Sequence, residues 1–270
     1  MHIDPETRAA CEATIGRERV IDDSLAPEAA VKLGILLGRP LAGDTLPPTW
    51  HWAYFNLGYA EADQGYDLHE RTGIFLPAAP FPRRMWAGGS VTQHRPLRLG
   101  QPARQRVRVA SVDFKEGRSG AMCFVGVDYS VEQAGALCIE ERRTIVYRDR
   151  GAPAPALRQP GDPVPEGFRC YADGQLFFYS AVTHNGHRIH WDRDFCRQTE
   201  GYPDLVVHGP MMATDLCDAM RGAGAGRFTY RALAPVFVTT PVRIETGGDG
   251  AGRMLRSDGE TSMEARWTPL

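Results

Sequence analysis

Residues 179–220 read YSAVTHNGHRIHWDRDFCRQTEGYPDLVVHGPMMATDLCDAM, and this stretch decides how the rest of the chain is interpreted. It opens with a dense polar cluster that follows an apolar segment, Leu176–Tyr179, which we predict to be a strand. A second apolar segment, Leu205–Val207, is also predicted to be a strand. Apolar residues then recur every fourth position and predict a helix over Met211–Met220. The polar cluster consists of His184, Asn185, His187, Arg188, His190 and Asp192.

The junction before the predicted helix reads His208-Gly209-Pro210. Proline is favoured in the first turn of a helix, and glycine lets a ligand approach the backbone closely. A helix N-terminus also offers unpaired N–H groups and the positive end of a dipole. The backbone N–H of Gly209 is therefore a candidate oxyanion hole, a group that polarises a carbonyl oxygen. The alternative is that Gly-Pro merely ends a strand and starts a helix.

These two segments, in this order, resemble the hydratase motif of the MaoC-like (R)-specific enoyl-CoA hydratase and dehydratase family. That motif places an acidic residue five positions before a histidine, and a His-Gly pair at the start of a central helix. Here the histidine is His190 and the pair is His208-Gly209. The strings THNGHRIHWD and YPDLVVHGP are similar to the mitochondrial-type 3-hydroxyacyl-thioester dehydratases and to the mesaconyl-CoA and itaconyl-CoA hydratase branch.

Asn185 occupies the position at which the family usually has an aspartate. An amide does not take up a proton, although its carbonyl oxygen can hold a water molecule. The resemblance therefore implies Asn185 and His190 as the catalytic residues, with His190 as the general base. His190 acts either alone or with a neighbour such as Asp192 or His187.

The reaction implied by the resemblance is the reversible addition of water to an α,β-unsaturated acyl-CoA. His190 would take a proton from water and return it at the α-carbon, while the Gly209 N–H stabilises charge on the thioester oxygen. The branch implies short acyl groups, including dicarboxylic ones such as itaconyl and mesaconyl. No cofactor is expected. No metal is expected either, because the three clustered histidines lack a partner carboxylate or cysteine pair in the motif.

Candidate substrate-binding residues lie in the motif and in a second segment, PRRMWAGGS at 82–90. Two arginines, a tryptophan and two glycines suit an anionic or flat group, and arginine also suits a distal carboxylate. A surface turn ahead of a strand is an equally weighted alternative for this segment. The complete set of candidates is Arg83, Arg84, Trp86, His187, Arg188, His208 and Pro210.

Composition excludes several classes of protein. Among 270 residues, 31 Lys and Arg oppose 33 Asp and Glu, which leaves a net charge of -2 and no footprint for bulk nucleic-acid binding. The six cysteines show no short zinc-type spacing. No N-terminal targeting signal is evident, and no apolar run approaches the ~20 residues that span a membrane. These features predict a cytoplasmic protein.

The chain divides at a Pro- and Gly-rich run, residues 151–166, which we interpret as a linker. Residues 1–150 and 167–270 each contain helix signals and several strand signals, but only the second unit carries the polar motif. The resemblance implies a double hotdog of the α+β class, with a degenerate first domain, and leaves open a monomer or a homodimer. Strands are predicted at 90–97, 104–112, 121–131, 137–147, 174–182, 226–238, 241–246, 252–258 and 261–267.

Two alternative functions remain open at this stage. One is an acyl-CoA thioesterase, the other common activity of hotdog proteins, although the acid that such enzymes need is absent at Asn185. The second is a non-catalytic acyl-thioester-binding subunit, which the same asparagine keeps under consideration.

Overall fold

An antiparallel sheet of nine strands joins the two halves of the chain in the computed structural model, which describes residues 3–117, 120–151, 156, 158–159, 161–222 and 224–270. The strands are β1 (Glu18–Asp23), β2 (Arg83–Gln93), β3 (Ala103–Gly117), β4 (Gly120–Gln133), β5 (Ala136–Arg148), β6 (Gly226–Ala232), β7 (Val242–Thr246), β8 (Ala251–Arg256) and β9 (Thr261–Pro269). The helices are α1 (Pro5–Glu12), α2 (Pro27–Leu36), α3 (Asp173–Val182) and α4 (Gly209–Met220).

The strand order is β1-β3-β4-β5-β2-β6-β9-β8-β7. Five strands from the first half therefore lie on one side, and four from the second half lie on the other. The halves meet where β2 pairs with β6 in antiparallel register, from Gly88 opposite Arg231 to Gln93 opposite Gly226. This junction places the start of β2 beside the second half, where the polar motif lies.

Helix α4 is the central helix of the second half, as predicted from its apolar repeat. Pro210 lies in its first turn, and every residue from Met211 to Cys217 is buried. The helix packs on β6, β7, β8 and β9. A helix that is buried on all sides gains its stability from tertiary packing rather than from its intrinsic propensity.

An aromatic segment of the first half forms a short turn. Residues 50–53 form a 3-10 helix, and Thr49 before it adopts a left-handed φ of 73°. Trp50, Trp52, Tyr54 and Phe55 are buried and form an aromatic part of the core.

The strand predicted at 174–182, including Leu176–Tyr179, is wrong, because these residues form helix α3. Leu176, Tyr179 and Ser180 are buried, at the spacing of one helix face. Phe177 and Phe178 point outward and are 56% and 61% exposed. A run of four apolar residues carries no periodicity, so it does not distinguish a strand from a helix.

The strand predicted at Leu205–Val207 is also wrong, since this segment makes only an isolated bridge from Val206 to Phe237. Around this bridge the Val207 N–H and the Leu205 carbonyl pair with Val236 and Val238, whereas the backbone groups of Val206 serve the motif. The N–H of Val206 donates to the carbonyl of Ile189 at 2.9 Å, and the Val206 carbonyl accepts from the His190 ring. A ladder is therefore replaced by contacts that position the site.

The predicted surface turn at 82–90 is a strand, because β2 begins at Arg83 rather than at residue 90. A bulge between Trp86 and Gly88 shifts the register against β5. Bulges change the direction of the neighbouring side chain. The remaining predicted strands are confirmed with shifted ends; β6, for example, ends at Ala232 instead of residue 238.

The predicted domain boundary at 151–166 stays a prediction, and residues 152–155, 157 and 160 lie outside the described residues. Within the described part of the chain, no helix is long and apolar enough to cross a membrane.

Gly89 tests the junction between β2 and β6. A Cβ at this position would lie 2.2 Å from the Arg142 carbonyl oxygen and 2.7 Å from the Tyr230 hydroxyl. We expect Gly89→Ala to lower the free energy of unfolding by about 1–3 kcal/mol in urea titrations, as overpacking does. The matched control is Gly174→Ala in α3, where a Cβ meets nothing within 4 Å. That control should raise stability by up to about 1 kcal/mol, and equal effects would contradict the prediction.

Candidate active site

His190 lies in a 3-10 turn, Arg188–His190, and its ring Nδ1 is 2.7 Å from the carbonyl oxygen of Val206. A carbonyl only accepts, so Nδ1 carries the hydrogen and Nε2 keeps its lone pair. The residue is buried, and this burial lowers the pKa of His190 to about 3, against the raising effect of the Val206 hydrogen bond. His190 is therefore neutral near pH 7, with Nε2 available as a base.

His208 stacks flat on His190, with 3.6 Å between ring centroids and 19° between ring planes. It is completely buried, and its Nε2 lies 2.9 Å from the Ser180 hydroxyl of α3. Because His208 immediately precedes α4, this stacking places the His190 ring at the N-terminus of the central helix. The predicted contact of His208 with substrate stays a prediction, since its ring faces His190 rather than solvent.

Gly209 begins α4, so its N–H has no carbonyl partner within the helix. A Cβ at Gly209 would lie 3.0 Å from Cε3 of Trp86. Glycine is thus needed at this position for the indole of β2 to pack against the helix start. The two halves of the chain both contribute to the surroundings of the predicted oxyanion hole.

Asn185 follows α3 and shapes the turn that carries the motif. Its Oδ1 accepts a hydrogen bond from the His187 N–H at 3.1 Å, and its own N–H donates to the Ser180 carbonyl at 2.9 Å. The Asn185 side chain also lies beside the ring of His69; burial lowers the pKa of His69, and the contact with Asn185 opposes this only in part. His69 belongs to the first half of the chain.

Asp67 and His69 are the site residues that sequence reasoning missed. Asp67 Oδ2 lies 3.4 Å from Nδ1 of His69, 3.0 Å from Nη2 of Arg84 and 3.8 Å from Nε2 of His187. Burial would raise the pKa of Asp67, but the His69 hydrogen bond and the Arg84 charge lower it below its ordinary value. Asp67 is thus an ionised, largely buried carboxylate beside the motif.

Three imidazoles follow one another in this part of the site. His69 contacts His187 edge to face, with 4.8 Å between ring centroids, and His187 lies 5.7 Å from His190. The Nδ1 of His187 accepts from the Ile189 N–H at 3.3 Å, so its Nε2 carries the hydrogen that faces Asp67. Burial is the main cause that lowers the pKa of His187 well below its ordinary value.

Asp67, His69 and His187 bring three atoms of the metal-ligand type within 4.8 Å of one another. Such a set resembles the donor group of a divalent cation. However, the guanidinium of Arg84 already supplies a positive charge 3.0 Å from the carboxylate. We therefore interpret these groups as a hydrogen-bonded network, and the expectation of no metal stays a prediction.

The other predicted substrate-binding residues are engaged with neighbours. Arg83 pairs with Glu200 at 3.2 Å and donates to the Glu200 carbonyl at 2.6 Å. Arg188 pairs with Asp192 at 2.7 Å, so this acid serves the arginine and not His190. Pro210 is partly buried in the first turn of α4. Their contacts with a substrate stay predictions.

Solved structures of known proteins share this fold. HtdX of Mycobacterium tuberculosis matches with a TM-score of 0.68 and 17% identity, over 94% of this chain and 100% of that chain. A MaoC-like dehydratase from Phytophthora capsici matches with a TM-score of 0.60 and 13% identity, over 96% and 98%. Another M. tuberculosis protein, described as a double hotdog, matches at 0.56 and 14%, over 95% and 96%. The predicted α+β double-hotdog fold is confirmed.

Sequence comparison then gives the family. Residues 49–238 match the model of hydroxyacyl-thioester dehydratase type 2. The chain is 39% identical to mesaconyl-C(4)-CoA hydratase of Chloroflexus aurantiacus, over 94% of this chain and 95% of that protein. It is 30% identical to the mitochondrial hydroxyacyl-thioester dehydratase type 2 of Schizosaccharomyces pombe, over 82% and 85%. The chain belongs to the hydroxyacyl-thioester dehydratase type 2 family, which confirms the prediction of a hydratase or dehydratase of the hydro-lyase class.

The buried imidazoles make stability depend on pH. The pKa values of His187, His190 and His208 are all lowered by burial, whereas unfolding restores the ordinary value near 6.5. The unfolded state therefore binds more protons below that pH, and stability is lost as the pH falls toward the folded pKa, which is about 3 for His190.

In urea titrations, we expect the free energy of unfolding to reach its full value above about pH 6.5 and to decrease as the pH falls below 6.5. The loss should be about 1.4 kcal/mol per pH unit for each imidazole that stays neutral. His190→Asn removes one such group and should make the dependence shallower. An unchanged slope in that variant would show that His190 is not held neutral by burial.

Proposed function

We propose that the protein catalyses the reversible hydration of a short, dicarboxylic α,β-unsaturated acyl-CoA, with mesaconyl-CoA and itaconyl-CoA as the candidate substrates. The observation that carries the proposal is the neutral imidazole of His190, tied by Nδ1 to Val206 and placed at the N-terminus of α4. The relative that is 39% identical and acts on mesaconyl-C(4)-CoA supports the dicarboxylic class.

In the proposed reaction, Nε2 of His190 removes a proton from water as its oxygen bonds to the β-carbon. The π electrons move toward the thioester oxygen, where the Gly209 N–H and the α4 dipole stabilise the developing charge. One such donor is typically worth about 3 kcal/mol in the transition state. The proton then returns to the α-carbon. The reaction needs no redox change, and we expect no cofactor.

A mesaconyl group attached through C4 carries its free carboxylate on the β-carbon, next to the point of water attack. A cation is therefore needed close to His190. Arg84 meets this requirement, because its side chain is largely buried and its partner Asp67 lies 3.8 Å from His187. Arg83 and Arg188 are also paired with carboxylates, but Asp67, the partner of Arg84, is the one that lies beside the site histidines His69 and His187. We propose Arg84 as the residue that binds the carboxylate.

The cysteines bear on the compartment in which the protein works. Free thiols are found at all six cysteine positions, and five of these are buried. Such usage suits a reducing compartment, and we propose the cytoplasm.

Two hotdog units in one chain suit a monomer, and a homodimer is the alternative. Measurement of the molecular mass in solution distinguishes the two arrangements.

His190→Asn tests the assignment of the base. We expect turnover of the enoyl-CoA to fall by about 10²–10⁴-fold, because proton transfer is lost while the fold is kept. The measurement is the loss of absorbance of the enoyl thioester. The matched control is His184→Asn, an exposed residue with a left-handed φ of 51° that asparagine tolerates. Turnover by His190→Asn close to that of the control would exclude His190 as the base.

Arg84→Gln tests the substrate class. A charged hydrogen bond is worth about 1.5–3 kcal/mol, so kcat/KM for mesaconyl-C(4)-CoA should fall by about 10–100-fold. Crotonyl-CoA lacks the second carboxylate and should be affected only a few-fold. Equal losses with both substrates would argue against recognition of a carboxylate by Arg84. A wild-type preference for crotonyl-CoA would argue against the dicarboxylic class itself.

A further inference from the structure

We propose that His69, positioned by Asp67, supplies the second water-binding group that the hydratase motif lacks at Asn185, so that the catalytic unit is shared between the two halves of the chain. This inference rests on the proposed hydration of an acyl thioester, but not on the identity of the acyl group. In this assignment His69 is a catalytic residue that contacts the attacking water, and Asp67 is a positioning residue that acts through His69.

The segment Asp67–His69 is fixed on the motif by backbone contacts. The N–H of Arg188 donates to the Asp67 carbonyl at 3.3 Å. A Cβ at Gly186 would lie only 2.9 Å from the Leu68 carbonyl oxygen, so the close approach requires glycine there. Leu68 itself adopts a left-handed φ of 63°, a conformation that surrounding structure must maintain. These contacts therefore hold Asp67–His69 in a defined position against the motif.

The imidazole of His69 lies between the carboxylate of Asp67 and the side chain of Asn185. Its Nδ1 is 3.4 Å from Asp67 Oδ2, and Asn185 lies beside the ring. When the Nδ1–H of His69 donates to the Asp67 carboxylate, Nε2 keeps its lone pair. A carboxylate that orients an imidazole base in this way is a common arrangement. The motif position that normally carries an acid thus has a carboxylate–imidazole pair next to it.

The attacking water would be held by two imidazoles. The Nε2 of His190 takes one proton as the water oxygen bonds to the β-carbon, and the π pair moves to the thioester oxygen. The other O–H of the water stays intact and donates to Nε2 of His69, which aligns the oxygen lone pair with the β-carbon. The proton held by His190 is then delivered to the α-carbon, so that all atoms and charges balance.

A competing explanation is that Asp67 serves only Arg84, which lies 3.0 Å from it. In that case loss of the carboxylate would disturb the recognition of a dicarboxylic substrate but not the chemistry. The two explanations differ for an enoyl-CoA without a second carboxylate. Crotonyl-CoA is therefore the decisive substrate, with mesaconyl-C(4)-CoA as the comparison.

The experiment compares the wild type with Asp67→Asn, His69→Gln and the double variant Asp67→Asn/Asn185→Asp. We expect each single variant to lower kcat for crotonyl-CoA by about 10²–10³-fold, with KM changed only a few-fold, as loss of an acid–base partner does. Asn185→Asp returns a carboxylate to the motif position beside His69. It should recover at least about tenfold in kcat over Asp67→Asn, which a purely structural role does not predict.

Thermal unfolding of each variant reports folding separately. If Asp67→Asn unfolds, His69→Gln on the partly exposed ring decides the question. Wild-type kcat in folded His69→Gln, or no recovery in the folded double variant, would overturn the proposal. A loss confined to mesaconyl-C(4)-CoA would assign Asp67 to Arg84 instead. A wild-type enzyme that hydrates crotonyl-CoA but not mesaconyl-C(4)-CoA would refute the substrate class and leave this test intact.

Discussion

The hydrogen bond from the His190 ring to the Val206 carbonyl is the constraint on which the site depends. It fixes the imidazole tautomer, so that the lone pair is on Nε2, and it holds the ring flat against His208 at the start of α4. It also removes the Val206 carbonyl from any strand ladder. A segment with strand-like composition is therefore irregular, because its polar backbone groups position a side chain.

The first half of the chain supports this arrangement without repeating the motif. One buried carboxylate of this half is Glu141, which lies 2.8 Å from His51 Nε2 and 3.1 Å from Trp52 Nε1. Trp52 in turn packs edge-on against Trp86, with 4.9 Å between ring centroids. Trp86 covers Gly209. These hydrogen bonds to a buried carboxylate fix the aromatic side chains beside the proposed oxyanion hole.

Sequence patterns predict this fold where a residue's environment follows from its near neighbours. The alternation in β3 reflects one buried and one exposed face, and its prediction is confirmed. Helix α4 is equally predictable, because apolar residues recur at every fourth position. The secondary structure of Leu176–Tyr179 is not predictable from the pattern, because its exposed phenylalanines are as apolar as its buried residues. Only the tertiary packing of α3 determines which side of it is covered.

The same distinction applies to the site. His190 and Gly209 follow from local motifs, but Asp67 and His69 lie in a loop without periodicity, far away in the sequence. Their position beside the motif depends on the absence of a Cβ at Gly186, which lets the Leu68 backbone approach closely. The residues near Asp67 in the sequence do not indicate that contact. What the sequence does show is Asn185 at the position where the related motif has an acidic residue. The groups that we propose in its place lie in the other half of the chain, and only folding brings them to the motif.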